Sequence, residues 1–319
     1  MASRPPSHWG VDFTETIHTK AEGSTLPENN KVSTPFVVVV TGAGKGLGYN
    51  ISLAYARAGV SGIVISSRTQ SDLDKLSKDL LQINPQIQIL AQITDTTKPE
   101  DVKKLADQVR ETFGGRLDVV VANAGIISKY LYDEDPQTGE KTKRRLPVGI
   151  IEDDDFQRVI NINLLGTYYT AKYMTPLLLD KTNNQSSVRA FVAVTSLASH
   201  VDRSEFIPTA YNVSKLAMNR IIEHIHNDHV NHGIQAFALH PGAVITPQTE
   251  LHSTKEGDGW ATLLTDDISL PGGFLTWLTK ERREWLGGRY LAAAWDVDQL
   301  EAKKDEIVKD DKFKFRMVV

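Results

Sequence analysis

The stretch that decides the fold is Phe36–Gly48, which reads FVVVVTGAGKGLG. It opens with an apolar, largely β-branched run, which is typical of a strand buried on both faces of a sheet. The glycine-rich turn leads directly into an apolar segment, Leu47–Ala58, which ends at Gly59 and is predicted to be a helix. A strand, a glycine turn and a helix in direct succession predict a site for the pyrophosphate of a dinucleotide.

The glycines of this turn have distinct expected roles. Gly42 permits the turn, Gly46 lets the backbone approach the pyrophosphate, and Gly48 allows the helix to pack closely on the sheet. The first helical turn offers N–H groups and the positive end of the helix dipole to the phosphates. A glycine-rich turn without a ligand is the alternative, and the strand–turn–helix context argues against it.

Short apolar runs alternate with helical patterns along the rest of the chain. Further strands are predicted over 62–66, 87–91, 117–121, 190–195, 235–239 and 289–295, and helices over 71–81, 99–113, 154–179 and 211–229. This alternation predicts an α/β protein with a Rossmann-type, doubly wound parallel sheet of about seven strands flanked by helices. We expect a single domain over 36–296 with a substrate lid near 247–285, extended termini over 1–35 and 297–319, and a charged surface insert over 133–147.

Composition excludes several classes of function. The chain has 319 residues and a formal net charge of −4, which does not suggest a nucleic-acid binder. No apolar run approaches the roughly 20 residues of a membrane helix. Cysteine is absent, which excludes disulfides and thiol chemistry. The segment from Met1 to Gly10 lacks the apolar core of a signal peptide. A cytoplasmic location is therefore the expectation.

The end of the second predicted strand indicates which dinucleotide is preferred. NAD-binding proteins of this type usually place an acidic residue there to hold the ribose 2′-hydroxyl. Here Ile65–Thr69 contains no acid and includes Arg68, while Lys45 adds a cation inside the glycine turn. Arg68 and Lys45 could bracket a 2′-phosphate through charge-assisted hydrogen bonds. The sequence therefore favours NADP(H) over NAD(H), with two solvated surface cations as the alternative.

A tyrosine–lysine pair lies downstream of this predicted cofactor site. Tyr211 and Lys215 are four residues apart in a predicted helix, so their side chains share one face. A neighbouring cation stabilises the phenolate and is expected to lower the pKa of Tyr211 from its usual value near ~10. The pair therefore predicts an acid or base that works near neutral pH.

Taken in order, these motifs resemble the classical short-chain dehydrogenase/reductase family over about residues 36–247. Thr41–Gly48 is similar to the glycine motif of that family. The resemblance implies that Asp95 contacts the adenine amine and that Asn123, Ala124 and Gly125 line the cofactor. It likewise implies contacts to the nicotinamide end from the Pro-Gly segment, whose members are Pro241, Gly242, Val244 and Thr246, and further contacts from Leu47, Tyr211 and Lys215.

The resemblance also assigns catalytic roles. Tyr211 would be the general acid or base, and Lys215 would lower its pKa and hold the nicotinamide ribose. Ser196 would polarise the substrate oxygen, and Asn163 would hold a water that links Lys215 to solvent. Ser196 lies 15 positions before Tyr211, farther than the family pattern, so Ser199 is an alternative for the serine role. Residues 286–298 resemble a longer branch of the family that is abundant in fungi.

Other signals remain open or are declined. The stretch with His224, His226, His229 and His232 is interpreted as a solvated helix end and not as a metal site. The alternating tail Phe313–Val318 predicts an edge strand, a partner contact or a tail packed on its own chain. Pairing into a homodimer or homotetramer is implied by the resemblance only.

Together these features predict an NADP-dependent oxidoreductase that acts on a carbonyl or secondary alcohol of a small organic metabolite. A ketoreductase of specialised metabolism follows from the fungal resemblance only. The alternatives are a non-redox enzyme on the same site, such as an isomerase, cyclase or dehydratase, and a catalytically silent nucleotide sensor or scaffold.

Overall fold

Seven parallel strands form the central sheet. The computed structural model describes residues 6–128, 132–143, 149–151, 153–182, 186–204, 207–250 and 263–317. In chain order its strands are β1 (Val37–Thr41), β2 (Gly62–Ser67), β3 (Gln88–Ile93), β4 (Val119–Ala122), β5 (Tyr132–Glu134), β6 (Lys141–Lys143), β7 (Ala190–Val194), β8 (Gln235–His240) and β9 (Arg289–Ala292). The sheet order β3–β2–β1–β4–β7–β8–β9 confirms the predicted Rossmann-type sheet.

Helices connect these strands on both faces of the sheet. They are α1 (Gly46–Ala58), α2 (Gln70–Ile83), α3 (Pro99–Thr112), α4 (Phe156–Val159), α5 (Gly166–Leu179), α6 (Thr209–His229), α7 (Pro247–Glu250), α8 (Leu270–Thr279), α9 (Val297–Ala302) and α10 (Lys304–Lys309). The helix predicted over 154–179 is present, but a π-helical stretch, Ile160–Leu165, separates α4 from α5. Such stretches are frequent at functional sites, and this one carries Asn163.

Two apolar layers enclose the sheet. One contains Val38 and Val40 of β1 together with apolar residues of α1, α2 and α8. The other contains Val37 and Val39 of β1 together with apolar residues of α3, α5 and α6. Alternate residues of β1 thus enter opposite layers, which is why the sequence of this strand is apolar throughout.

Segments near both ends of the described chain meet around Trp295. The indole N–H donates to the Gly10 carbonyl oxygen at 2.8 Å, and the Phe13 and Phe313 rings lie 5.6 and 4.6 Å from the Trp295 ring. The Tyr290 N–H donates to the Phe313 carbonyl oxygen at 2.9 Å. Of the alternatives for the tail, the described residues support packing on its own chain.

Two features of the sequence have a different local structure from the expectation. The charged insert over 133–147 contains an antiparallel hairpin, β5–β6, with the rest of its described residues exposed; residues 144–147 lie outside the described residues. The histidine stretch is not wholly solvated, because His226 is buried against Gly287, where an added β-carbon would lie 2.1 Å from the ring. Because glycine has no β-carbon, position 287 leaves room for this imidazole.

His18 joins the N-terminal segment to the start of α9. Its Nδ1 lies 2.8 Å from Glu22 Oε1 and its Nε2 lies 2.8 Å from Asp296 Oδ2. Burial opposes the charged imidazole, but the hydrogen bonds to Asp296 and Glu22 outweigh it, and the pKa of His18 is raised. Burial of Asp296 is likewise outweighed by His18, so the pKa of Asp296 is lowered.

The His18 contact predicts a pH-dependent contribution to stability. Because the pKa of His18 is raised on folding, its contribution is complete below its ordinary pKa of 6.5 and is lost as the pH rises through the folded value. We expect His18→Ala to lower the free energy of unfolding by about 1 kcal/mol near pH 5.5 and by much less near pH 9. Urea denaturation at both pH values measures this, with His224→Ala as an exposed control. An equal loss at both values would contradict it.

Candidate active site

The glycine turn after β1 has the close contacts that its sequence predicts. A β-carbon added to Gly48 would lie 2.4 Å from the Gly42 carbonyl oxygen and 2.5 Å from Asn123 Nδ2. Gly42 has a φ of +64°, and a β-carbon there would lie 2.8 Å from Ala124 Cα. None of these separations is tolerable, so Gly48 requires glycine for space, and Gly42 requires it for both space and its left-handed backbone conformation.

Asn123 fixes the turn to the end of β4. Its Nδ2 donates to the Thr41 carbonyl oxygen at 2.9 Å and to the Gly42 carbonyl oxygen at 3.1 Å. Its backbone N–H donates to Thr41 Oγ1 at 3.1 Å. The turn is therefore held open towards the start of α1, where helical N–H groups point outward.

A cleft of about 430 Å³ runs along this edge of the sheet. The predicted cofactor residues that line it are Gly42, Lys45, Gly46, Leu47, Arg68, Asp95, Asn123, Ala124, Gly125 and Thr246. The cleft lies outside the carboxyl ends of β1 and β4, where the strand order reverses, which is the ligand position of doubly wound folds. Glycine backbone, helix N-terminus and a cleft of this volume fit a dinucleotide.

Charged side chains gather at the β2 end of the cleft. Lys45 Nζ lies 3.4 Å from Asp72 Oδ2 at the start of α2, and Arg68 is exposed. Burial of Asp95 is outweighed by hydrogen bonds from Thr97 and by the charge of Arg68, so the pKa of Asp95 is lowered. Within the described ranges, Arg68 thus lies at the cleft with only the electrostatic influence of Asp95, whereas Lys45 is ion-paired with Asp72.

The four predicted catalytic residues come together beside Gly125. The Tyr211 and Ser196 side chains share a hydrogen bond, and Lys215 Nζ lies 5.4 Å from the centre of the Tyr211 ring. Lys215 Nζ donates to the Val194 carbonyl oxygen at 2.9 Å. A β-carbon added to Gly125 would lie 3.3 Å from Asn163 Oδ1 and 3.5 Å from Lys215 Nζ. Gly125 therefore joins this group to the cleft.

Burial determines the acidity of the tyrosine and the lysine. It raises the pKa of Tyr211 to about 12, against the opposing hydrogen bond with Ser196. It also lowers the pKa of Lys215 to about 7. The expectation that Lys215 lowers the pKa of Tyr211 is therefore not met in this state of the protein. Desolvation disfavours the ammonium form of Lys215, and the expectation depended on that positive charge.

Asn163 is wholly buried in the π-helical stretch. Its Nδ2 donates to the Ile126 carbonyl oxygen at 2.9 Å and to Ser214 Oγ at 3.0 Å, and its Oδ1 accepts from the Ile126 N–H at 2.8 Å. The amide thus ties the loop that follows β4 to α6. This positions the helix of Tyr211 and Lys215 against the cleft.

The two candidate serines have different surroundings. Ser196 Oγ accepts from the Ala198 N–H at 3.1 Å and meets Tyr211. Ser199 Oγ donates to the Ser196 carbonyl oxygen at 2.8 Å and is buried. The contact with Tyr211 favours Ser196 for the predicted role.

The Pro-Gly segment meets the cleft only at its end. Pro241, Gly242 and Val244 are not among the residues that line it, whereas Thr246 is. Asp266 fixes the segment, since its Oδ2 accepts from the Ala243 N–H at 2.6 Å. The expected lid over 247–285 lies partly outside the described residues, and its later part forms the buried α8.

Two positioning residues, Asp153 and Asp72, were not predicted from the sequence. Asp153 Oδ2 accepts from the Ala210 N–H at 2.9 Å and so caps α6 one residue before Tyr211. Pro208 is the N-cap residue of α6, and its side chain has no hydrogen-bond acceptor. This proline is the signal in the sequence that a different residue must cap the helix. The position of Asp72 was predictable, because acidic residues are favoured in the first turn of a helix.

Comparison with known proteins agrees with this arrangement. The family model of the short chain dehydrogenases matches residues 36–257. The short chain dehydrogenase pgmD of Aspergillus terreus is 38% identical over 99% of this chain and 97% of its own length. The short chain dehydrogenase citE of Monascus ruber is 34% identical over 88% of each chain.

Solved structures share the fold. A 7α-hydroxysteroid dehydrogenase, complexed with NADH and 7-oxo glycochenodeoxycholic acid, superposes with a TM-score of 0.67 at 20% identity, over 84% of this chain and 95% of that one. No helix in the described ranges is long and apolar enough to cross a membrane. On the family match and these relatives, the chain belongs to the short-chain dehydrogenase/reductase family of nicotinamide-dependent oxidoreductases.

Proposed function

We propose that the protein is an NADP(H)-dependent reductase of a carbonyl group in a small organic metabolite, or the dehydrogenase of the corresponding secondary alcohol. One observation carries this proposal: Tyr211, hydrogen-bonded to Ser196, lies beside Lys215, and Lys215 Nζ in turn lies next to Gly125, which lines the dinucleotide cleft. Bound NADPH would supply the hydride for the carbonyl carbon. The relatives named above come from fungi, which supports a metabolite substrate of that kind.

The protein residues must then transfer one proton and stabilise one developing negative charge. In reduction, the Ser196 hydroxyl donates a hydrogen bond to the substrate oxygen as negative charge grows on it. Tyr211 transfers its proton to that oxygen and becomes a phenolate. The negative charge of this phenolate favours the ammonium form of Lys215, and that ammonium would stabilise the phenolate in turn. In oxidation the same proton travels the other way.

The preference for NADP(H) rests on the charges at the β2 end of the cleft. Arg68 is exposed, lines the cleft and stands where NAD-binding proteins usually have an acid. Its planar guanidinium can hold a phosphate through two hydrogen bonds. Lys45 adds a second cation, but Asp72 competes for it at 3.4 Å. We therefore assign the larger share of the preference to Arg68.

Removal of the Arg68 side chain tests the cofactor preference. We expect Arg68→Ala to weaken NADPH binding by roughly 10- to 100-fold, because a charge-assisted hydrogen bond contributes about 1.5–3 kcal/mol. Binding of NADH, which lacks the 2′-phosphate, should change little. Titration calorimetry with both nucleotides measures this, with Arg110→Ala on α3 as the control. Equal weakening of both nucleotides, or of neither, would contradict the assignment.

A further inference from the structure

Asp266 joins the Pro-Gly segment, which follows β8, to the residues that precede α8. The Ala243 N–H donates to Asp266 Oδ2 at 2.6 Å, and the Asp266 N–H donates to the Ala243 carbonyl oxygen at 2.9 Å. A β-carbon added to Gly242 would lie 2.9 Å from Asp266 Oδ2 and 2.8 Å from Leu270 Cδ2, and the φ of Gly242 is +98°. The carboxylate therefore fills the space beside a backbone turn that strongly favours glycine.

The far end of the Pro-Gly segment lies against the glycine turn of the cofactor cleft. A β-carbon added to Gly46 would lie 3.4 Å from Thr246 Cβ and 3.6 Å from Pro247 Cδ, and all three residues line the cleft. Thr246 is also held by Thr249, because the Thr246 N–H donates to Thr249 Oγ1 at 2.7 Å. The segment is thus fixed at both ends, by the Asp266 carboxylate at one and by α7 and the glycine turn at the other.

The Pro-Gly segment borders the route from the glycine turn to the catalytic group. The strands β7 and β8 are parallel neighbours, so the residues that follow them meet at the same edge of the sheet. The Thr195 N–H donates to the Leu239 carbonyl oxygen at 2.7 Å, which sets the chain before Ser196 beside the end of β8. The segment begins directly after β8 and ends at the glycine turn, and it therefore spans the edge between that turn and Ser196.

A short N-terminal arm, residues 17–21, holds the chain that follows this contact. The Asp267 N–H donates to the Thr19 carbonyl oxygen at 2.7 Å, and the Ala21 N–H donates to Ser269 Oγ at 3.1 Å. A further backbone hydrogen bond attaches the arm to the chain after β9. The residues on which the Pro-Gly segment rests are therefore anchored to the body of the protein.

We propose that Asp266 is a positioning residue for the nicotinamide half of the bound nucleotide. By fixing Ala243, its carboxylate holds the Pro-Gly segment at the cleft in advance, so that nucleotide binding does not have to order this segment. Asp266 is not among the described residues that line the cleft, so it acts through the backbone of the segment. The inference rests on the proposed function, which requires a hydride donor between the glycine turn and Ser196.

The surroundings of Asp266 require a hydrogen-bond acceptor more than they require a charge. Burial raises the pKa of Asp266, against the opposing hydrogen bond from the Ala243 N–H. An asparagine at this position has an amide oxygen that can accept from the same N–H without the cost of a partly buried charge. The variants Asp266→Asn and Asp266→Ala therefore differ in the contact that matters, since only the alanine variant removes the acceptor.

Two nucleotides distinguish the halves of the cleft in a binding experiment. NADPH carries the nicotinamide, whereas adenosine 2′,5′-bisphosphate carries the adenine and the 2′-phosphate without it. We expect Asp266→Ala to weaken NADPH binding by roughly tenfold, the size of a lost hydrogen bond to a charged group, and to change the affinity for the bisphosphate by less than about twofold. Asp266→Asn should restore most of the NADPH affinity. Titration calorimetry on the full-length protein measures both nucleotides.

The neighbouring acid provides the matched control. The Asp267 carboxylate accepts from the Ser269 N–H at 2.8 Å, so Asp267→Ala should bind both nucleotides as the wild type does. Asp266→Glu keeps the charge but displaces the acceptor, and the same selective loss of NADPH affinity is expected from it if the alanine variant does not fold.

Equal weakening of both nucleotides in the Asp266 variant that folds, or weakening of neither, would overturn the positioning role. The titrations need no turnover. If the wild type binds NADPH but transfers no hydride, only the proposed reduction fails, and the titrations still decide the role of Asp266.

Discussion

Replacement of Tyr211 by phenylalanine is expected to remove nearly all turnover while leaving cofactor binding in place. Positioned proton transfer contributes roughly 10²–10⁴-fold to a rate, and the phenylalanine variant has no group at this position to supply it. The ring itself is kept, so its contact with Lys215, 5.4 Å from the ring centre to Nζ, can persist. We expect kcat to fall by about 10³-fold within that range, with the dissociation constant of NADPH changed less than about threefold.

A second tyrosine gives the control for this variant. Tyr168 is 47% exposed on α5, and Tyr168→Phe should retain wild-type kcat. Steady-state kinetics on the same carbonyl substrate, together with NADPH titration, measure both variants. Turnover of Tyr211→Phe within a factor of ten of wild type would contradict the role of Tyr211 as acid or base.

The second large effect is expected from Gly48→Ala. The added methyl would lie 2.4 Å from the Gly42 carbonyl oxygen and 2.5 Å from Asn123 Nδ2, so the turn or α1 must move. Such overpacking costs about 1–3 kcal/mol of stability, and the displaced groups are those that would meet the pyrophosphate. We expect NADPH binding to weaken by at least about 10²-fold, which corresponds to roughly 2.7 kcal/mol.

A second glycine with close neighbours, outside the cleft, provides a control that separates loss of binding from loss of stability. A β-carbon at Gly272 would lie 2.7 Å from the Ala54 β-carbon, where α8 packs on α1 outside the cleft. Gly272→Ala should therefore destabilise the fold and bind NADPH with nearly normal affinity when folded. Thermal denaturation and nucleotide titration of both variants measure this. Normal NADPH affinity in Gly48→Ala would mean that the turn does not hold the cofactor.

Much of the fold could be predicted because its signals are local. The apolar run of β1, the glycine turn and the alternation of strands and helices depend on near neighbours in sequence. The proximity of Tyr211 and Lys215 was also predictable, since their spacing fixes their relation on a helix. The structure brings two further residues to this pair: Ser196, which follows β7, and Asn163, in the π-helical stretch.

Contacts between distant segments were not predictable from pattern. The cap of α6 by Asp153 and the packing of Gly10 and Phe13 on Trp295 both join residues far apart in sequence. The pKa of Tyr211 was missed for the same reason. Its value depends on burial by several elements, and a sequence motif carries no measure of desolvation.

Deuterium transfer from NADPH deuterated at C4 is the measurement that tests the central claim most directly. Wild-type protein would be incubated with this nucleotide and a panel of ketones, and the products analysed by mass spectrometry. The proposed function predicts an alcohol that carries deuterium on the former carbonyl carbon, and its near absence with Tyr211→Phe. Tight NADPH binding with no deuterium in any product would contradict the proposed reduction and favour a non-redox enzyme or a nucleotide sensor.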